Sequence, residues 1–288
     1  MEQVKPTEIS IRKPGWLGRP LPSAPTFSRT RSLLDNGRLH TVCQEARCPN
    51  CGKCFSRGTA AFLILGDCCT RCCRFCAVTQ GTPARPDPDE PGRIAEAASR
   101  MGLDYVVVTS VTRDDLPDGG AGAVAETIRC LRSRLPSARI EVLVPDFQGD
   151  EEALATVLEA RPDVLNHNLE TVARLYPEVR PQAIYARSLE LLRRASSLAP
   201  GIAVKSGLML GLGERPYEVE AALRDPSEHR VSNRHSGAVS STEKRLSRGC
   251  PLCSARGIRR LAGGCLKDRL YTGGQRPSGP QLLPRRGT

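Results

Sequence analysis

No stretch of this 288-residue chain is long and apolar enough to span a bilayer as a helix, and no apolar segment near the N-terminus resembles a secretory signal. These absences set aside the membrane-spanning and secreted classes. The expectation is a reducing compartment: the cytoplasm, or a mitochondrial matrix or plastid for a eukaryotic source. Acidic residues are scarce in one region only. Residues 226–288 carry 13 Lys/Arg and 3 Asp/Glu, whereas residues 1–225 carry 29 and 28. The net charge of +11 therefore lies almost wholly in the last 63 residues. A basic tail can bind nucleic acid, but a segment never selected for folding is the preferred reading, and neither nucleic acid nor membrane is expected as a partner. The same tail lacks apolar periodicity, a composition expected to stay disordered. The turn Gly211-Leu212-Gly213-Glu214 lacks the Lys-Ser/Thr that a phosphate-cradling loop needs.

Cysteine is abundant, with 13 in the chain. Two groups stand out. Cys43, Cys48 and Cys54 have a C-x4-C-x5-C spacing, and Cys69, Cys73 and Cys76 a C-x3-C-x2-C spacing, all within 34 residues. Cysteines two to five residues apart in a chain without secretory features point to metal rather than to disulfides. Three close thiolates can hold three irons of a cubane cluster and leave the fourth open for chemistry. The second triad also admits a zinc knuckle, but its spacing and the neighbouring Phe75 favour iron and sulfide. At the first triad, Cys48-x2-Cys51-x2-Cys54 has the local spacing of a ferredoxin-type loop, so a simple electron-transfer cluster remains a second reading there. Cys51, Cys68 and Cys72 are read as incidental. Cys250 and Cys253 look like half a zinc site, accidental in such a tail.

Hydrophobic periodicity gives an alternating pattern. Strands are expected at 61–65, 104–109, 139–145, 163–167 and 203–210, with helices at about 92–101, 120–134, 150–160 and 186–198. Residues 1–40 read as a mostly irregular leader. This is an α/β class, a parallel sheet of βα units with chemistry at the carboxyl ends of its strands. Polar residues stand there: Thr112-Arg113-Asp114-Asp115, Asp146, His167, Asn168, Glu170, Lys205 and Ser206. His167, Asn168, Glu170 and Lys205 are the candidate catalytic side chains. For His167 a hydrogen-bonded strand-end residue is an equal alternative, and for Lys205 a buried structural cation is another.

The second triad, inside Cys69-Thr70-Arg71-Cys72-Cys73-Arg74-Phe75-Cys76, resembles the signature of the radical S-adenosylmethionine superfamily. With the first triad before it, the chain resembles the lipoyl synthases. The likeness extends through Lys13–Leu17, Thr109–Leu116, Asn166–Thr171 and Lys205–Glu214, from about residue 11 to Asp225. The resemblance implies a partial parallel (β/α) barrel over 61–225, preceded by an extension over 1–60 that carries the auxiliary-cluster cysteines. It implies two 4Fe–4S clusters: a radical cluster on Cys69, Cys73 and Cys76 that binds S-adenosylmethionine, and an auxiliary one on Cys43, Cys48 and Cys54 that is consumed as a sulfur source. The implied reaction inserts two sulfur atoms at C6 and C8 of an octanoyl chain on a carrier lysine. The implied partners are octanoylated lipoyl carrier domains (2-oxoacid dehydrogenase E2, glycine cleavage H protein) and ferredoxin or flavodoxin as electron donor. A non-catalytic iron–sulfur carrier and an inactive family fragment are the alternatives.

Beyond Asp225 the likeness stops. The family's Gly-Gln-Tyr-Leu-x-Pro and terminal Arg-Ser-Ser-Tyr segments are absent from the chain as written, although the latter supplies a serine ligand to the auxiliary cluster in the family. Back-translated and read one nucleotide later, residues 235–242 can give T-L-G-Q-Y-L-Q-P and residues 280–285 can give R-S-S-Y-H-A. A one-nucleotide insertion near codon 226 accounts for both. The expectations are therefore about five βα units, a lost sixth unit, an uncovered fifth strand, and a disordered, out-of-frame tail over 226–288.

Overall fold

The computed structural model describes residues 25–48, 50–228, 233–238 and 271–272. The chain enters through helix α1 (Pro25–Asn36), strand β1 (His40–Thr41) and short helices α2 (Val42–Glu45) and α3 (Cys51–Ser56). Strand β2 (Ala61–Ile64) follows, then a small pair, β3 (Cys68–Cys69) and β4 (Thr79–Gln80). Regular alternation begins with α4 (Glu90–Arg100), β5 (Tyr105–Ser110), α5 (Ala121–Arg134) and β6 (Arg139–Leu143). It continues with α6 (Glu151–Glu159), β7 (Val164–Asn166), α7 (Tyr176–Val179), α8 (Tyr185–Leu198), β8 (Ala203–Leu210) and α9 (Pro216–Glu228). Strands β9 (Asn233–Ala238) and β10 (Tyr271–Thr272) complete the described elements.

The main sheet runs β1-β2-β5-β6-β7-β8-β9-β10. Every pair is parallel except β1 against β2. Its two edges carry different strands, so it is open: the partial (β/α) barrel that alternating strands and helices imply. Register separates the two faces. Phe62, Val106, Val108, Ile140, Val142 and Leu165 are nearly inaccessible, packed among helix residues such as Ile94, Ile128, Leu131, Val157 and Leu192. In-register partners on the opposite face include Val107, Glu141 and Val164, then Thr109, Leu143, Asn166 and Lys205. That inner face is part polar, which suits a ligand-holding barrel better than a sealed core.

Three expectations are corrected. The segment before residue 40 is not mostly irregular where it is described: α1 spans 25–36, buries Thr30 and Leu34, and sets Phe27 against Phe55 of α3 at 5.8 Å between ring centroids. Strand β2 stops at Ile64 because Leu65 turns to φ 68 and Gly66 to φ 90. The sheet does not end at the fifth parallel strand. β9 pairs with β8 from Lys205↔Asn233 to Leu210↔Ala238, and β10 extends β9. The physical cause is the open edge of an eight-residue strand, whose unpaired N–H and C=O groups accept any backbone of suitable length. The expectation for the rest of the tail, with Cys250 and Cys253, and the resemblance at Lys13–Leu17 fall outside the described residues. Among the described residues no helix is long and apolar enough to cross a membrane.

Candidate iron–sulfur site

The chain leaves β2 through a clamp. The Leu65 N–H donates to Glu90 Oε2 at 2.8 Å, and the Leu65 carbonyl accepts from Arg113 Nη1 at 3.4 Å. Arg113, 2 % exposed, is itself held by a bidentate pair to Asp115 at 2.8 Å. The loop carrying Cys69, Cys73 and Cys76 begins at once. Its ends are closed by the β3–β4 pair and by Gly81 N–H donating to Cys69 O at 3.0 Å.

Arg71, between the first two cysteines, fastens this loop to the sheet. Its guanidinium reaches Asp114 at 2.7 and 2.8 Å and Asp146 at 2.5 Å, while only 4 % of it is exposed. Burial alone would raise the Asp146 carboxyl, but the hydrogen bond and charge of Arg71 hold it below the usual carboxylate range. Thr70 is tied by its N–H and hydroxyl to the Thr112 carbonyl at 3.1 and 3.0 Å, and its Oγ accepts from Asp114 N–H. Gln182 receives the Cys72 N–H at 2.8 Å and donates to Thr70 O at 3.3 Å, and Arg74 N–H donates to Val179 O. The loop is thus anchored to the segments following β5, β6 and β7, at the carboxyl ends of the strands.

Cys69, Cys73 and Cys76 feel one another electrostatically. Burial and this mutual repulsion push Cys73 and Cys76 up, and N–H donors oppose them: Arg180 at Cys73 and the Val78 backbone at Cys76. Arg71 N–H donates to Cys69 Sγ at 3.4 Å. Arg180 is aimed by the carbonyls of Asn168 and Leu169 and by the Tyr176 hydroxyl, at 3.1 to 3.2 Å.

The first triad sits at the other end of β2. Cys43, 8 % exposed, accepts from Ala61 N–H at the start of that strand. Burial, with Cys54, Cys48 and Cys51 nearby, pushes its thiol up to about 12. Cys43 at the start of β2 and Cys69 beyond its end set the two triads at opposite ends of this four-residue strand, about 13 Å long. Among the described residues no three cysteine sulfurs lie within 4.8 Å of one another, the close packing a single tetrahedral ion demands. Partly buried, mutually repelling, thiol-only sets that receive N–H···S bonds fit a larger cationic iron–sulfide core.

The candidate catalytic side chains divide. Glu170, at φ 64, has its carboxyl raised by burial, lies within electrostatic reach of Cys76 and accepts from Asn168 Nδ2 at 3.0 Å. His167 is 1 % exposed with both ring nitrogens engaged. Nδ1 faces the Val144 carbonyl at 2.8 Å and so carries the proton, and Nε2 accepts from Ser188 Oγ at 2.9 Å. Burial presses its pKa down to about 4. Lys205 donates to Glu141 at 2.6 Å, and Tyr105 donates to the same carboxylate. Glu214 fills its own turn, accepting from Gly211 and Leu212 N–H at 2.5 and 2.9 Å, so no phosphate cradle is left. Arg71, Arg180 and Gln182 escaped the sequence reading. Only the Thr-Arg pair inside the triad hinted at the first.

The sequence profile of the radical SAM superfamily matches residues 63–225. The chain is 53% identical over 219 residues to the lipoyl synthase of Rubrobacter xylanophilus, covering 76% of this chain and 68% of that protein. It is 56% identical over 217 residues to that of Caldanaerobacter subterraneus, covering 75% and 76%. Among solved structures it resembles methylornithine synthase (TM-score 0.54, 17% identity, 86% of this chain and 75% of that one). It also resembles Streptococcus suis SuiB bound to S-adenosylmethionine (TM-score 0.56, 12% identity, 86% and 61%). These two likenesses concern the fold.

Proposed function

The chain belongs to the lipoyl synthases of the radical SAM superfamily, and on that premise we propose how its own residues divide the work. Cys69, Cys73 and Cys76 hold the 4Fe–4S cluster that binds S-adenosylmethionine, and Cys43, Cys48 and Cys54 hold an auxiliary 4Fe–4S cluster. The observation that carries this reading is two separate thiol sets flanking one short strand in a chain of this family. When bound, the two clusters and S-adenosylmethionine supply the electron, the hydrogen-abstracting radical and the sulfur that unactivated C–H bonds require.

The protein's part is placement. Arg71, Thr70 and Gln182 hold the radical-cluster loop against the strand ends, and Arg180 supports Cys73. Glu170 and Asn168 stand beside Cys76 as candidate contacts to the bound cofactor. His167 and Lys205 serve the scaffold, since their polar atoms are already engaged. The substrate is an octanoyl-lysine on a lipoyl carrier domain, such as E2 of a 2-oxoacid dehydrogenase or the glycine cleavage H protein. Ferredoxin or flavodoxin supplies electrons. The action takes place in a reducing compartment.

A second reading concerns this chain in particular. The profile match ends at residue 225, where the family likeness in the sequence also stops. Without an in-frame Arg-Ser-Ser-Tyr segment, the chain as written is proposed to have little sulfur-inserting activity, and removing one nucleotide near codon 226 is expected to restore it. Anaerobic reconstitution with iron and sulfide quantification tests the clusters: about eight irons per chain support both, about four only one. Lipoyl product on an octanoylated carrier, before and after frame repair, tests the activity. Robust product from the unrepaired chain, or a gene that cannot encode the family segments in the next frame, would overturn the second reading.

A further inference from the structure

Three metal-ligating side chains outside the thiol sets meet beside the carboxyl end of β2. His40, Glu45 and Asp67 each offer one ligand atom, and these atoms all lie within 4.8 Å of one another. Three separate pieces of backbone fix them. His40 stands on β1, paired with Leu63. Glu45 closes α2, whose N-cap Thr41 Oγ accepts from Gln44 N–H at 3.3 Å. Asp67 follows the left-handed turn at Leu65 and Gly66, φ 68 and 90, beyond the end of β2. His40 Nδ1 is 3.2 Å from Glu45 Oε1. Two ligands on a tetrahedral ion with bonds of about 2.0–2.1 Å stand about 3.3 Å apart. Among the described residues Glu45 has no ion-pair partner but His40, and the Asp67 carboxylate has none. Two carboxylates this close repel, and a divalent cation between them removes the repulsion.

We propose that His40, Glu45 and Asp67 bind one divalent first-row metal ion, distinct from both thiol sets. One imidazole and two carboxylates, with no sulfur, suit manganese(II), iron(II) or zinc, and water completes the coordination. The ion takes a lone pair from each side chain and sheds its own water, with no change of oxidation state. The His40 side chain is 35% exposed, that of Glu45 27%, and Asp67 is exposed as well, so the ion enters from solvent. No thiol takes part, so the site stands whether or not either cluster forms. His40 lies three residues before Cys43, and Asp67 two before Cys69. A bound ion therefore clasps the segment of the first triad to the loop of the second.

The test uses the full chain, reconstituted anaerobically with iron and sulfide to occupy its thiols. Mn2+ is the probe, because manganese favours oxygen and nitrogen ligands over sulfur. Free Mn2+ gives a sharp electron paramagnetic resonance signal at room temperature that binding broadens away. The parent chain is expected to withdraw about one Mn2+ per chain. Asp67→Asn, Glu45→Gln and His40→Ala are each expected to weaken binding about tenfold or more, since even groups outside the coordination sphere are worth that much. Mn2+ is expected to raise the thermal midpoint of the parent and to leave that of Asp67→Asn where it was. Binding unaffected by any one of the three substitutions overturns the proposal. A parent whose free Mn2+ signal matches that of buffer leaves a plain ion pair of His40 with Glu45, and overturns it even if a variant fails to fold. Asp67 is exposed, so Asp67→Asn is expected to fold as the parent does, which circular dichroism checks.

Discussion

Cys43 and His167 show how far a residue's surroundings can move its chemistry. The Cys43 thiol, pushed up to about 12, stays protonated near neutrality unless a metal core takes its proton's place. Cluster binding should accordingly release protons and weaken in acid. Replacing Cys69, Cys73 or Cys76 with Ala is expected to abolish S-adenosylmethionine cleavage. Replacing Cys43, Cys48 or Cys54 is expected to spare cleavage and stop sulfur insertion. Separate assays of 5′-deoxyadenosine and lipoyl product check this division, and lipoyl product from an auxiliary-site variant would refute it. The pKa of His167 is about 4 in the folded chain against 6.5 for a free imidazole. The unfolded chain therefore binds a proton that the native chain refuses. The stability this contributes is complete above about pH 6.5 and is lost as the pH falls toward 4. Urea unfolding of wild type and His167→Gln at pH 7 and pH 5 should show the wild type losing more of its midpoint. Equal losses would place the ring in water. The cysteines were legible because ligand spacing is local. The role of His167 was not, because Val144 and Ser188 approach from other elements.

At the scale of elements, the cluster loop is fixed by its neighbours more than by its own conformation. Arg71 joins it to the ends of two strands. Arg71→Ala leaves the buried Asp146 with only the longer Arg187 ion pair at 3.4 Å and is expected to cost about 3 kcal/mol, with loss of the radical cluster. Arg71→Lys keeps the charge but not the fork, and should fall between. Denaturant midpoints and iron content measure both. If Arg71→Ala keeps full iron and stability, the anchoring role is wrong. Gly120 is a second pressure point, at φ 90 ahead of α5. A Cβ there would stand 2.3 Å from Leu65 Cδ1, and Leu65 is itself buried at a left-handed φ. Gly120→Ala is expected to cost about 1–3 kcal/mol, and an unchanged urea midpoint would show that the β2 exit tolerates movement. The five parallel strands and four longer helices from 61 to 210 were read to within a few residues because the period of two or 3.6 is set by burial, whereas the short β3, β4 and α7 were not anticipated. α1 escaped that reading because its packing against α3 is tertiary. α9 was not anticipated either, lying where the likeness fades.

Over the whole molecule, the sheet's far edge is the point of interest. β8 is the longest described strand, and β9 covers six of its residues. Truncation after Glu228 should expose that edge and make the chain associate. Light scattering of full-length and truncated chains at matched concentration checks this, and a truncated chain that stays as monodisperse as the parent would show that β9 does not protect the edge. β9 falls within the stretch whose next reading frame can supply the family's strand. Parallel pairing uses backbone groups common to every residue, so a strand can persist there whatever side chains it carries.

By itself the sequence determined the two thiol sets, the order of βα units and the polar residues at the strand ends. Thiol spacing is local, and hydrophobic period follows from which face must leave water. Only the tertiary structure decided which polar residues are free to act. It consumed His167 and Lys205 in hydrogen bonds, set Glu170 within reach of Cys76, joined Arg71 to Asp114 and Asp146, and brought Arg180 and Gln182 to the loop from distant positions. The physical reason is common to all of these. A side chain's partners are set by contacts across chain separations that no local pattern encodes, and in a buried site those partners decide its charge.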